Sequence, residues 1–390
     1  MGKFDFDKPT ERFGTDSYKW QVASGELPMW VADMDFETAP CVKEAITERA
    51  RHGIFGYSVT PDSFFESVAD FFEKRHGWRP SPSDMIFSTG VVASVSSAVR
   101  ALTAPGEGVA VMPPVYNIFY NSIRNNARRV VECGLVFDGE SYSIDFDALE
   151  ACLSKKEAKL LIFCNPHNPV GRIWSREELR RVGEICKRWG VAVLSDEIHC
   201  SVTNPDSKGY TPFASASETC RDISVSSVSA SKAFNLAGLQ SAAVIVPNEE
   251  LRYKMWRSLN TDECAEPNSF AIPASVAALR QGGEWLDGLL QYLFENRRIA
   301  EQYINGKIEG LHAIRGEATY LLWIDAGGVC ESSAELVAFI RKKTGLYLSD
   351  GAEYGRGGER FLRMNLATQR ARLLDGLSRL ERAIELWRKK

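Results

Sequence analysis

No apolar run in the 390 residues approaches the roughly 20 that a membrane-spanning helix needs. The opening stretch, MGKFDFDKPTERFG, has no hydrophobic signal core. It begins Met-Gly, but Phe6 stands where a myristoylation signal has Ser or Thr. Positive charge is not in excess: the net charge is −4, which gives no electrostatic basis for nucleic-acid binding. There is no internal repeat and no low-complexity segment. The nine cysteines are scattered and none forms a CxxC pair, so neither a metal nor a redox motif is expected. Several sit in apolar surroundings, as Cys164 does in LLIFCNP, and read as reduced packing residues of a cytoplasmic protein.

What remains is an ordinary soluble-enzyme composition, 44% hydrophobic and 25% charged, in a chain long enough for one large domain and a smaller one. The first fifty residues are irregular and aromatic-rich. Their LPMWVADMDF is too apolar for a loose tail and is expected to lie across a folded surface or a partner subunit. From residue 85 short β-rich runs alternate with amphipathic helices. DMIFSTG, GVAVMPP, KLLIFC, VAVLSDEI, DISVSSVSAS and SAAVIVPN read as strands. SREELRRVGEICKRWG reads as a helix with Ser175 as N-cap and Glu178 completing a capping box. Continuous apolar strands between helices predict an α/β fold whose mainly parallel sheet is covered on both faces. Beyond about residue 285 a long helix, the strands TYLLWID and FLRMNLA and a final helix predict a smaller α+β domain. The boundaries read as a segment 1–45 joining the small domain, a large domain 46–284 and a small domain 285–390.

Ligands of such sheets bind at the carboxyl ends of the strands. Asp196 ends VAVLSD, Asn165 and Asn168 follow LLIFC, and Lys232 follows ISVSSVSAS. The turn STGVV sits where a strand passes into a helix, and amides there could hold a phosphate. Alone each feature is weak: a strand-end Asp is often a cap, and a Lys is usually solvated. Together they offer an anion site, a carboxylate, an amide and an amine in one crevice. That set suits pyridoxal 5′-phosphate (PLP), whose aldehyde takes a lysine and whose ring nitrogen takes a carboxylate.

In the order and spacing of STGVV, NPHNPVG, SDEIH, SASKAFNLAG and FLRMNLA the chain resembles the fold type I PLP enzymes, the aspartate aminotransferase superfamily, over nearly its whole length. LPMWVADMDF, FGYS, DEIH and SASKAFNLAGLQ resemble the MalY/PatB type of cystathionine β-lyase, or carbon–sulfur lyase. The resemblance implies roles. Lys232 would carry the cofactor as a Schiff base and later take the substrate α-proton. Asp196 would keep the pyridine nitrogen protonated. Asn168 would bond the ring oxygen and help orient the substrate carboxylate. The amides of Val91 and Val92, with Ser229 and more weakly Ser231, would hold the phosphate. Tyr116 would stack on the ring, or serve as ordinary core. Arg363, in the apolar run FLRMNLA, would clamp the substrate carboxylate bidentately. Tyr57 would reach the neighbouring subunit's phosphate, making a homodimer with shared sites. Trp30, Val31 and Ala32 would approach the substrate, or only pack between subunits.

Two positions depart from the common aminotransferase pattern. His199 stands where many carry a Tyr, and Gln240 where many carry a phosphate-pairing Arg. Both fit the lyase branch better. The expected activity is β-elimination on L-cystathionine or related cysteine thioethers, giving pyruvate, ammonia and a thiol. An aminotransferase on the same scaffold and a regulatory binding protein are the other two readings.

Overall fold

The computed structural model describes residues 3–155 and 158–390; Met1 and Gly2, used in the myristoylation comparison, lie outside them. A central sheet has seven strands. In sheet order they are Met85–Ser88, Ala242–Ile245, Ser224–Val228, Ala192–Asp196, Ala158–Cys164, Gly108–Val111 and Arg129–Glu132. All run parallel except Ala242–Ile245, which is antiparallel to both neighbours.

The apolar continuity of these strands has a direct cause. Along Ala158–Cys164, Leu160, Ile162 and Cys164 pack into one core with Val95 and Val99 of helix Val91–Leu102. Leu161 and Phe163 pack into another core with Leu179 and Val182 of helix Arg176–Trp189. Alternate side chains point to opposite faces, so a strand covered on both sides must be apolar at every position. Helix Arg176–Trp189 starts with the anticipated box: Ser175 Oγ accepts from Glu178 N, and the Glu178 side chain accepts from Ser175 N.

A second, antiparallel sheet follows, in the order His312–Ala313, Leu321–Asp325, Phe361–Asn365 and Ser349–Asp350. Its core includes Leu322, Ile324, Leu362, Met364 and the final helix Arg370–Trp387 through Leu373, Leu377 and Leu380. Helix Gly283–Lys307 links the two cores. Its Trp285, Leu286 and Leu289 belong to the first, and its Ala300 and Ile304 to the second. Among the described residues no helix is long and apolar enough to cross a membrane.

The N-terminal segment is threaded between both cores. Leu27–Pro28 pairs in parallel with Leu346–Tyr347. From Trp30 to Phe36 the chain has no regular structure, yet every carbonyl accepts a side-chain hydrogen bond. Arg363 takes Trp30 O, Asn365 takes Val31 O and Asp33 O, and Lys232 takes Ala32 O. Asn235 takes Met34 O and Phe36 O, and Gln369 takes Asp35 O. Irregular buried backbone must find such partners, because unpaired carbonyls are costly. Arg363, Asn365 and Gln369 come from the C-terminal part of the chain, Lys232 and Asn235 from the central one. This strap therefore stitches the two together above the sheet.

Candidate active site

The strap roofs a cavity of about 370 Å³ at the carboxyl ends of the parallel strands. Lys232, Asp196, Asn168, Tyr116 and His199 line it, together with Ala32 from the strap. Each is delivered by a strand end. Asp196 is the last residue of its strand, Asn168 lies just past Cys164, and Lys232 is in the short helix Ser231–Phe234 after Ser224–Val228.

Lys232 opens partly to the cavity, but its amine lies deep. Nζ donates to Ala32 O at 2.6 Å. Burial depresses the amine to about 8; Arg363 pushes the same way, while Asp33 and Asp196 oppose. An amine with that affinity switches between base and acid near neutral pH. Asp196 shows the mirror effect. Burial raises its carboxyl to about 6, against the Ile198 N–H and Lys232, and Oδ1 accepts from Ile198 N at 3.1 Å. A cationic ring nitrogen in the cavity would hold this carboxylate ionised.

The anion end is built from the start of helix Val91–Leu102. Gly90 has φ +145°, a conformation that favours glycine, and its carbonyl takes the first helical bond, from Ser94 N. The amides of Val91 and Val92 therefore have no intrahelical acceptor. Thr89, Ser231, Gln240 and Ser241 complete that end. Among the described residues lining the cavity, Lys232 is the only Lys or Arg. The phosphate end is made of neutral donors and a helix dipole.

Arg363 enters from strand Phe361–Asn365 and is 5% exposed. Nη1 donates to Asn168 Oδ1 at 3.2 Å, and Nη2 to Trp30 O at 2.9 Å and Ser349 Oγ at 3.4 Å. The guanidinium lies 4.9 Å from the Tyr354 ring centre. Among the described residues Nε has no hydrogen-bond partner, which leaves a buried charged donor for a ligand carboxylate. His199 Nδ1 is likewise unpartnered. Burial, helped by Lys232 and Arg363, lowers this imidazole to about 3, so it is neutral. Tyr116 is kept as a neutral phenol, raised by burial to about 12.

Other expected residues fall elsewhere. Ser231, rather than Ser229, lines the cavity: Ser229 Oγ is spent on Ser241 O and on the Ser231 N–H. Val31 does not line it, and its carbonyl is turned to Asn365. Trp30 stacks on Tyr347, centroids 4.8 Å apart, beside the cavity. Asn165, behind Asn168, gives its amide to Thr211 O. Tyr57 is fully exposed and reaches no site of its own chain. Tyr320 and Ser349 stand in no motif, and Asn365 stood in FLRMNLA without an assigned role; all three reach the strap or Arg363 through the fold. Asp33 lay in plain view within WVADMDF.

These groups fit PLP: a buried amine for the aldehyde, a buried carboxylate for the ring nitrogen, and free helix amides for the phosphate. The sequence model of the family "Aminotransferase class I and II" matches residues 27–380. Cystathionine beta-lyase PatB of Bacillus subtilis is 43% identical over 387 residues, covering 97% of this chain and 100% of PatB. Protein MalY of Escherichia coli is 32% identical, covering 98% of this chain and 99% of MalY. The crystal structure of cystalysin from Treponema denticola, which contains a pyridoxal 5′-phosphate cofactor, superposes with a TM-score of 0.94 at 30% identity, covering 98% of this chain and 99% of that one. With its cavity chemistry, its fold and its sequence in agreement, the chain belongs to the class I and II aminotransferase family.

Proposed function

We propose that the protein is a PLP-dependent carbon–sulfur lyase acting on L-cystathionine or related cysteine thioethers. The products are pyruvate, ammonia and a thiol. The observation that carries the chemistry is a buried cavity amine near pKa 8, with Arg363 bonded to the cavity residue Asn168 and its Nε donor left free among the described residues. The substrate class is supported by the similarity to PatB over the whole chain.

Bound PLP supplies an electron sink for the pair left when the substrate Cα–H bond breaks. The residues do the rest. Asp196 would hold the ring nitrogen, Tyr116 would pack on the ring, Asn168 and His199 would bond its oxygen, and the Val91 and Val92 amides with Ser231 would hold the phosphate. Arg363 binds the substrate carboxylate, and Asn168, bonded to Arg363, fixes that orientation. Lys232 Nζ removes the α-proton. Elimination needs only this proton transfer and a departing thiolate, a good leaving group because thiols are fairly acidic.

Tyr57 extends out of the chain beside exposed Ile54, Phe55 and Val59. We assign this strip to a homodimer in which Tyr57 completes the partner's cofactor site. Six of the nine cysteines are buried, which supports a reading of them as reduced packing residues in a cytoplasmic setting.

The test is to supply PLP and L-cystathionine without any keto acid and to follow free thiol and pyruvate. Stoichiometric release of both is expected. No release, with amino-group transfer to added 2-oxoglutarate, would show an aminotransferase instead.

A further inference from the structure

Tyr320 belongs to no motif, yet it is 2% exposed and its hydroxyl shares an acceptor with Lys232. It immediately precedes strand Leu321–Asp325 of the second sheet. Its hydroxyl donates to Ala32 O at 3.1 Å, and Lys232 Nζ donates to the same oxygen at 2.6 Å. Its ring meets His199 edge-on, with centroids 6.2 Å apart. Burial, reinforced by Asp33, holds the phenol far above its ordinary pKa, so Tyr320 donates a hydrogen bond and does not release its proton. On either side, Asn365 holds Val31 O and Asp33 O. The direction of the Ala32 carbonyl itself is set by Tyr320 and Lys232.

We propose that Tyr320 is a positioning residue for the proton transfers of Lys232, pinning the Ala32 carbonyl as the rest on which the lysine's ammonium is aimed. This rests on the reading of Lys232 as the base. In that reaction Nζ takes the proton from Cα, and the Cα–H pair becomes the new Cα=Cβ bond. Sulfur leaves with the Cβ–S pair. One N–H of the ammonium points to Ala32 O; another returns its proton to sulfur, giving the thiol and restoring the amine. A carbonyl free to swing would let the ammonium turn away between the two transfers.

The test compares wild type with Y320F, which keeps the ring and removes one hydroxyl. The first readout needs no turnover: the rate at which apoprotein takes up PLP, followed against pH, reports the lysine's own titration. A loosened acceptor stabilises the ammonium less, so the midpoint is expected to fall by about half a pH unit. The second readout is turnover by cofactor-loaded enzyme. kcat on L-cystathionine should fall about tenfold with KM nearly unchanged, and the isotope effect from α-deuterated substrate should rise. If Y320F does not fold, Y320M takes its place with the same expectations. A folded variant with an unmoved midpoint, kcat and isotope effect overturns the proposal. Elimination that survives in K232A would overturn the underlying assignment instead, so the two failures are separable.

Discussion

Arg363 Nη1 donates to Asn168 Oδ1 at 3.2 Å and thereby ties the C-terminal sheet to the loop that follows the central strand Ala158–Cys164. The bond uses one edge of a planar fork, and two further protein acceptors, Trp30 O and Ser349 Oγ, fix the rest of the plane. A lysine has neither the plane nor the donors to copy this. R363K is expected to lose about 2–4 kcal/mol of transition-state stabilisation, roughly 30- to 1,000-fold in kcat/KM, with most of the loss in KM. Steady-state kinetics on L-cystathionine check it.

The lysine's depressed affinity has a pH signature. The neutral amine is the form that condenses with an aldehyde, and its fraction grows as pH rises through about 8. PLP uptake by apoprotein should therefore accelerate from pH 6 to 9 and level off above. At the acid end Asp196, raised to about 6, loses its charge as pH falls below that value. Cofactor retention should weaken there, and D196N should bind PLP poorly at every pH. Stopped-flow absorbance and dialysis measure the two.

Stability has its own acid–base pair. Lys19 is 1% exposed and bonds Asp35, 2% exposed, at 2.9 Å. Arg12 also bonds Asp35, and so does the Trp20 indole. Burial works against the carboxylate, but Lys19, Trp20 and Arg12 prevail, and the Asp35 pKa is lowered. A carboxyl depressed on folding stabilises above its unfolded pKa, and that contribution is lost as pH falls through the folded one. D35N should cost about 3–5 kcal/mol, because it leaves buried Lys19 with only the more distant Asp33, at 3.8 Å. The deficit should shrink toward pH 2. Urea melts across pH decide.

The proposed shared-site dimer predicts complementation. K232A and Y57A homodimers should both be impaired, the first completely. Refolded together in equal amounts, half the dimers are mixed, and each holds one intact site. Activity should then recover to about a quarter of wild type. No recovery, with mixed dimers demonstrated, would place Tyr57 outside the partner's site.

The sheet and its ligand-bearing ends were legible because a doubly covered strand must be apolar throughout and because chemistry at strand ends recurs in fixed order. Asp196, Asn168, Lys232 and the Gly90 turn all show this. The family resemblance places Ser229 ahead of Ser231 at the phosphate. Only the turn geometry reveals that the Ser229 hydroxyl is already spent on Ser241 O. Tyr320 and Asn365 were illegible for another reason. They act on backbone carbonyls far away in sequence, and a carbonyl has no letter in the sequence. The strap's irregular path was invisible for the same cause: it follows no periodicity, only the reach of distant side chains.

That path has a consequence for how the protein tolerates change. Where backbone is gripped by its own periodic bonds, shape survives when neighbours vary. In the stretch from Trp30 to Phe36 the relation is reversed. Substitutions at Val31 or Ala32 leave the gripped atoms in place, whereas a change at Asn235, Asn365 or Gln369 releases them. Positions 31 and 32 are thus free to be re-lettered, while the segment's route over Lys232 is guarded by residues hundreds of positions away.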